Sequence, residues 1–272
     1  MQTMIRSNTP ITVDALRQKV PSIFAQAPKA GVSEKYTFIP TTSVLDLLQK
    51  EGWFPVAAGQ GRAKNPDGKD FMKHVVRFRR DDSAKALKEV GDSIPELVLT
   101  NSHNASSSYR LMMGLFRLVC TNGLTVSSGD IADYRIRHTG FKTEDVLAAS
   151  AQMISHIPTL AAKVEGMRTL KLNDDERLAF ATQALGLRWD AGKAPIEASH
   201  LLMSRRGADS GNDLWTTLNV VQENIIRGGI TGRSSGRTRR SYTTRAVNSP
   251  ATDISLNRGI WEIAEAFTGK GA

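Results

Sequence analysis

A chain of 272 residues, 40% of them hydrophobic, is long enough for one large domain and apolar enough for a true core, which excludes a disordered chain. Its formal net charge of +9 and pI near 9.8 favour polyanionic partners, nucleic acid before an anionic membrane surface. No apolar run reaches the roughly 18 residues that a membrane helix needs, and a single cysteine, Cys120, excludes an internal disulfide framework and a cysteine-based zinc cluster.

The chain opens with MQTMIRSNTPITVDALRQKV, which lacks the apolar stretch of a secretory signal; with the lone cysteine, this predicts a reducing cytoplasm and no membrane partner. Residues 1–33 carry a weak helix, Val13 to Val20, followed by a Pro/Gly/Ala stretch, and read as an N-terminal arm. Residues 34–227 read as an α+β core. Its first part, 34–140, is β-rich after a short helix, TTSVLDLLQKEGW, with Thr41 or Thr42 as N-cap and Gly52 near its end. WFPVAAG, HVVRFRR, PELVLTNSHN, SSSYRLMMGLFRLVC, GLTV and DYRIRHTG are short β-type runs split by turn chemistry, such as the PDG of GRAKNPDGKD. They predict an antiparallel meander.

From Phe141 to residue 227 the pattern turns helical. TEDVLAASAQMISHIPTLAAKVEGM has a Thr143 cap and a kink expected at Pro158. NDDERLAFATQALGLRW starts on Asn173 with three acids at the dipole-positive end. GNDLWTTLNVVQENIIRGG stops at Gly228 and Gly229. Residues 228–252 form a basic loop that reads as flexible. Residues 253–268 form a closing helix, with Ile260, Trp261, Ile263, Ala264 and Phe267 as a docking stripe. Strands first and helices second give an α+β class, a small antiparallel sheet backed by helices with a helical C-terminal half.

Three of the β-type runs carry paired arginines. Alternation places Arg77 and Arg79 on one face of HVVRFRR, and Arg135 and Arg137 on one face of DYRIRHTG. In SSSYRLMMGLFRLVC the period leaves helix and strand open. A helix puts Arg110 and Arg117 on one stripe, and a strand does the same if a bulge sits at Gly114. Guanidinium forks bind phosphate and stack on bases, so the three pairs predict a cationic sheet face for a single strand, with Tyr109, Tyr134 or Tyr242 as stacking partners. The plainer reading of such a face is a solvated surface.

A second basic feature is RGGITGRSSGRTRRSYTTRAVNSP. Between Glu223 and Asp253 there is no acid, and Arg227, Arg233, Arg237, Arg239, Arg240 and Arg245 are its cations. Arg233, Arg237, Arg239, Arg240 and Tyr242 are therefore added to the nucleic-acid-binding set, as a mobile tether that follows phosphates and releases counterions.

Catalytic chemistry is weakly signalled. Cys120 with His103 and His138 has the types of a nucleophile and base, but its apolar neighbours read as core. His103, in TNSHNASSS, is a turn residue by default, with base or phosphate contact as alternatives. His74, His156 and His200 show no metal-ligand spacing. GQGRAKNPDGK lacks the order of a phosphate-binding loop. Asn219, Gln222 and Glu223 read as helix surface or a subunit contact.

Three segments carry a resemblance: TNSHNASSSYRLMMGLFRLVCTNGLTV, DLWTTLNVVQENIIRGG and RAVNSPATDISLNRGIWEIAEAF. The chain resembles the phage/plasmid-like proteins of domain-of-unknown-function family 932. That likeness implies a mobile-element origin and brings no catalytic residues. The layout of sheet, helices and basic faces is also similar to that of phage-type single-strand annealing recombinases. The expectation is a homo-oligomeric protein, ring or filament, that binds single-stranded DNA non-specifically and protects or anneals it without metal or cofactor. The alternatives are a protein-interaction module that counters a host defence factor, and a nuclease centred on His103.

Overall fold

The computed structural model describes residues 4–80, 93–117, 123–125, 133–136, 143–233 and 241–269. The chain divides into two compact units, here taken over their described residues. One comprises Met1–Phe116, Ser128–His156 and Asn248–Pro250, and the other Arg117–Ser127, Ile157–Val247 and Ala251–Ala272.

The first unit is built on an antiparallel sheet whose strands follow the chain. β1 (Ile5–Arg6), β2 (Trp53–Gln60), β3 (His74–Arg80), β4 (Ser93–Asn101) and β5 (Tyr109–Arg117) lie side by side in that order, and β7 (Asp133–Ile136) pairs with the start of β5. The expected meander is present, and the opening apolar segment of the arginine pair is a strand. The register of β2 on β3 slips between Pro55 and Ala57, where proline has no N–H to give to the ladder. Both faces of the middle strands are covered. From His74 to Arg79 every residue of β3 is buried, and so are Leu97, Val98 and Leu99 on β4. A strand buried on both faces needs a near-continuous apolar run or charges that are paired, and β3 takes the second course, with Arg77 and Arg79 paired beside Val75, Val76 and Phe78.

The lead-in is part of this unit. Ile5 pairs with Ala58 on the sheet edge, and α1 (Val13–Lys19) is capped by Thr12, whose Oγ1 accepts from the Ala15 amide at 3.3 Å. Leu16, Val20 and Ile23 are fully buried. α2 (Thr41–Lys50) packs on β2 and on α3 (Thr143–Ser155). Its N-cap is Pro40, which makes no side-chain cap bond, so neither threonine caps it. Gly52, expected near its end, takes φ +80°, the left-handed conformation that glycine adopts without strain.

The second unit is helical: α4 (Ile157–Thr169), α5 (Asp174–Gly186), α6 (Leu214–Arg227) and α7 (Pro250–Thr268), with β6 (Gly123–Thr125) and the ribbon β8 (Thr231–Arg233) and β9 (Ser241–Thr243). The helical run before Pro158 does break, since α3 ends at Ser155 and α4 begins at Ile157. Asn173 closes a full capping box on α5. Its Oδ1 accepts from the Glu176 amide at 2.9 Å, and Glu176 Oε2 accepts from the Asn173 amide at 2.8 Å. The stripe on α7 docks as its spacing implies, with Ile260, Trp261 and Ala264 fully buried. Phe267 meets Phe180 of α5 edge-on at 5.6 Å between centroids. No helix among the described residues is long and apolar enough to cross a membrane.

α6 overturns one expectation. Asn219, Gln222 and Glu223 are not helix surface: every α6 residue from Thr217 to Ile226 is buried. The polar ones are paired internally. Asn219 Nδ2 donates to the Trp215 carbonyl at 2.7 Å, and Gln222 Nε2 donates to Asn257 Oδ1 of α7 at 2.8 Å. A buried helix that keeps amides and a carboxylate must satisfy each of them, and α6 does so with neighbouring helices and arginines.

Candidate nucleic-acid interface

The sheet arginines do not form an open track. Arg77 and Arg79 share a face of β3 as alternation requires, but both are buried against Glu96 of β4. Arg77 Nη1 lies 2.9 Å from Glu96 Oε2, and Arg79 Nε lies 2.7 Å from Oε1. The Arg79 guanidinium also sits over the Phe116 ring of β5, 3.2 Å from its centroid. Burial pulls the Arg79 pKa down from its ordinary value, opposed by the Glu96 charge and hydrogen bond.

Strand order explains the miss. β4 lies between β3 and β5 and brings a fully buried carboxylate into the middle of the arginine pattern. Arg117, the last residue of β5 and itself part of the second unit, is likewise buried, 2.8 Å from Asp209 of that same unit. Three of the six sheet arginines are thus committed to carboxylates and are corrected out of the binding set. Arg110 is half-buried, close enough to Lys73 that its charge adds to burial in lowering the lysine's pKa. The register places Arg135 opposite Arg110 on the β5–β7 pair. Arg137 lies outside the described residues, as do Cys120 and His138. Tyr109 is fully buried and cannot stack on a base, whereas Tyr134 and Tyr242 are exposed.

His103 belongs to a buried polar network whose proton positions follow from its partners. His74 Nδ1 lies 3.0 Å from the Met72 carbonyl, which only accepts, so that nitrogen carries the proton. His74 Nε2 is then the acceptor and takes the Thr41 hydroxyl proton at 2.9 Å. With its proton so used, Thr41 Oγ1 accepts from Asn101 Nδ2 at 3.1 Å and from His103 Nε2 at 3.3 Å. Thr41, His74, Asn101 and His103 are each shielded from solvent. Burial first, and the neighbouring His103 second, lower the His74 pKa to about 3, against the pull of the Met72 hydrogen bond. His74 is thereby held neutral in one tautomer, in a clamp that joins α2, β3 and the end of β4. A solvent-facing catalytic base at His103 does not fit it. Thr41 serves this clamp instead of capping its helix, which the helix-start pattern alone could not reveal.

The basic segment after α6 is built differently. The helix stops on Gly228 at φ +63° followed by Gly229 at φ +76°. The Gly228 amide donates to the Asn224 carbonyl at 3.2 Å, and the Gly229 amide to the Thr244 carbonyl at 2.7 Å. Thr231 then pairs with Thr243, Gly232 with Tyr242 and Arg233 with Ser241. The expected loop is thus an antiparallel ribbon at its base. A Cβ on Gly232 would fall 2.2 Å from the Pro195 carbonyl oxygen, and one on Gly228 would fall 2.6 Å from the Arg245 backbone, so both glycines permit close backbone approach. Arg188 reinforces the base by donating to the Ile225 and Arg245 carbonyls, and Arg205 by donating to the Gly228 carbonyl. Tyr242 and Arg245 are exposed on it. Arg237, Arg239 and Arg240 occur in 234–240, the connection between the strands, outside the described residues.

Below the ribbon, Glu223 is buried and holds Arg206 and Arg227, the latter at 2.6 Å, while Arg206 also reaches Asp209 at 2.9 Å. These carboxylates anchor the arginines of the helix end and of the turn before α6. None lies in the ribbon itself, since no acid occurs between Glu223 and Asp253.

The comparisons with known proteins agree with this chain along nearly its whole length. Two proteins of Escherichia coli (strain K12) are each 38% identical to it: the UPF0380 protein YafZ over 264 residues and the UPF0380 protein YfjQ over 266, in both cases covering 97% of this chain and 94% of the relative. No solved structure matches. The family model described as domain of unknown function (DUF932) matches residues 29–261, and the chain belongs to that family.

Proposed function

We propose that the protein binds single-stranded DNA non-specifically through the ribbon β8–β9, as a homo-oligomer of mobile-element origin that protects or anneals the strand. The observation that carries this reading is the ribbon itself. Its base is clamped by backbone hydrogen bonds and two close-packed glycines, its sequence is arginine without acid, and an exposed tyrosine sits on its second strand. A clamped base fixes both ends of the segment in whose sequence Arg237, Arg239 and Arg240 occur, so fewer degrees of freedom are lost on binding than with a tether anchored at one end. Arg233, Arg237, Arg239 and Arg240 would take phosphates and Tyr242 a base, which is the division of labour of sequence-tolerant strand binding.

Fluorescence anisotropy with single- and double-stranded oligonucleotides across a salt series tests this. The expected result is salt-sensitive binding that favours the single strand. In the triple variant Arg237→Ala, Arg239→Ala, Arg240→Ala, the log–log salt slope becomes shallower by about 2, at about 0.7 per lost single-strand phosphate contact. No binding at low salt, or an unchanged slope in the triple variant, would overturn it. Size measurement with and without DNA checks the oligomer.

A further inference from the structure

We propose that a cleft in the first unit, formed where α1 meets the loop after β2, is a second anion site that recognises phosphate groups independently of any base. The cleft encloses about 430 Å³ and is lined by Lys19, Arg62, Lys64 and Lys69, with Gln60 and Asn65 among its polar walls. Among the described residues no carboxylate lines it. Asp67 and Asp70 belong to the same turn but are not part of its wall. All four cations are solvent-exposed, and among the described residues none of them is in an ion pair, unlike Arg77, Arg79 and Arg117. Four like charges facing one concavity repel each other. An anion of high charge density relieves that repulsion, and a concave cationic surface raises its local concentration.

The frame of the cleft is fixed before any ligand arrives. The Gln60 side chain bridges its two sides. Its Oε1 accepts from the Ser22 amide at 3.0 Å and from the Ser22 hydroxyl at 2.9 Å, and its Nε2 donates to the Lys69 carbonyl at 2.9 Å. The Gly61 amide donates to the Lys73 carbonyl at 2.7 Å, which closes the loop. The Gly68 amide donates to the Asn65 carbonyl at 3.1 Å, forming the tight turn that carries Lys69. Gln60 is thus a positioning residue, and the cations project from a braced backbone.

What the lining lacks sets the ligand class. Among the described residues no aromatic ring lines the cleft, so a base has no platform to stack on. Lysine ammonium groups act as point charges toward phosphate, and only Arg62 offers a planar fork. The chemistry therefore suits a chain of phosphates, either a free polyphosphate or the phosphodiester backbone of a strand. The site does not rest on the ribbon, which lies in the other unit.

Isothermal titration of the full chain with inorganic tripolyphosphate at low salt, without divalent metal, tests the site. The expected result is saturable binding that weakens at least tenfold in Arg62→Ala/Lys64→Ala and is unchanged in the ribbon triple variant. A charge-matched control, Lys35→Ala/Lys50→Ala, removes two exposed lysines of the same unit outside the cleft and leaves the affinity within twofold. Arg62, Lys64, Lys35 and Lys50 are exposed, so the cleft variant and its control keep the fold. If the cleft variant also weakens an oligonucleotide, the ligand is a strand backbone. If it weakens tripolyphosphate alone, the ligand is a free polyphosphate. No binding of tripolyphosphate, equal weakening by the control, or a nucleoside triphosphate bound more than tenfold tighter than tripolyphosphate would each overturn the assignment.

Discussion

The arginines of β3 and those of the ribbon sequence stand in different settings. On β3 of the first unit, Arg77 and Arg79 are folded inward on one carboxylate, and their cation content is invisible to solvent. In the sequence of the ribbon and its connection in the second unit, arginine recurs with no acid between Glu223 and Asp253. A strand with two arginines on one face has the same sequence signature in either role. What decides is the neighbouring strand. Taking two guanidiniums out of water costs several kcal/mol each unless geometry and hydrogen bonding compensate. Glu96, opposite and diagonal to them on β4, supplies an oxygen to each. Cation count therefore does not measure binding capacity. The count that matters is of cations left after buried carboxylates have taken theirs.

The sharpest way to break this comparison is to remove the shared carboxylate. Glu96→Ala leaves two buried guanidiniums without their partner and should destabilise the fold by about 3–5 kcal/mol. Urea denaturation of the full chain would show it as a lower midpoint. Arg245→Ala, at an exposed position, should stay within about 0.5 kcal/mol. The opposite pattern would return the sheet arginines to the binding surface: Arg77→Ala and Arg79→Ala that lower DNA affinity while leaving stability untouched.

A smaller effect belongs to the buried clamp beneath the sheet. His74 has its pKa lowered from 6.5 to about 3, so the unfolded chain takes up a proton that the folded one refuses. Its contribution to stability is therefore complete above about pH 6.5 and is lost as pH falls toward 3. Within that window the stability falls by about 1.4 kcal/mol per pH unit for this one proton. In His74→Gln, whose amide oxygen can take the place of Nε2 as acceptor for the Thr41 hydroxyl, this part of the acid dependence should disappear. Denaturation midpoints at pH 7, 6 and 5 would reveal it. A variant whose pH slope matches the parent would mean that His74 does not stay neutral.

The elements whose local code is self-sufficient were legible. Asn173 with Glu176, Pro158, the double glycine after α6 and the apolar stripe of α7 each act within a few residues of themselves, and each does in the structure what its spacing implies. The meander was legible because turn chemistry separates the runs. The site was harder to read because its determinants are long-range. Glu96 sits inside PELVL as a lone acid, and only the strand order brings it to Arg77 and Arg79, 19 and 17 positions away. Thr41 reads as a cap until His74 and His103 arrive from 33 and 62 residues on. Three of the four cleft cations, Arg62, Lys64 and Lys69, were in plain view in GRAKNPDGK, but a search for a glycine-rich phosphate loop tests for backbone amides. This segment offers side-chain charge on a loop braced by Gln60, for which no short pattern exists.

The smallest and most discriminating test of the ribbon concerns Tyr242. Base stacking on an aromatic side chain contributes about 1–3 kcal/mol per base. Tyr242 is 40% exposed, so part of its ring is already covered by the protein, and the low end applies. Tyr242→Ala should weaken single-strand binding by about 1 kcal/mol, roughly fivefold, with the salt slope unchanged because no phosphate contact is lost. Tyr242→Phe keeps the ring and should bind as the parent does. If Phe fails as Ala does, the hydroxyl and not the ring makes the contact, and the ribbon holds the strand by polar bonds alone. If both variants bind like the parent while the arginine triple variant does not, the ribbon is purely electrostatic. It would then differ from the first-unit cleft only in the length of phosphate chain it tracks.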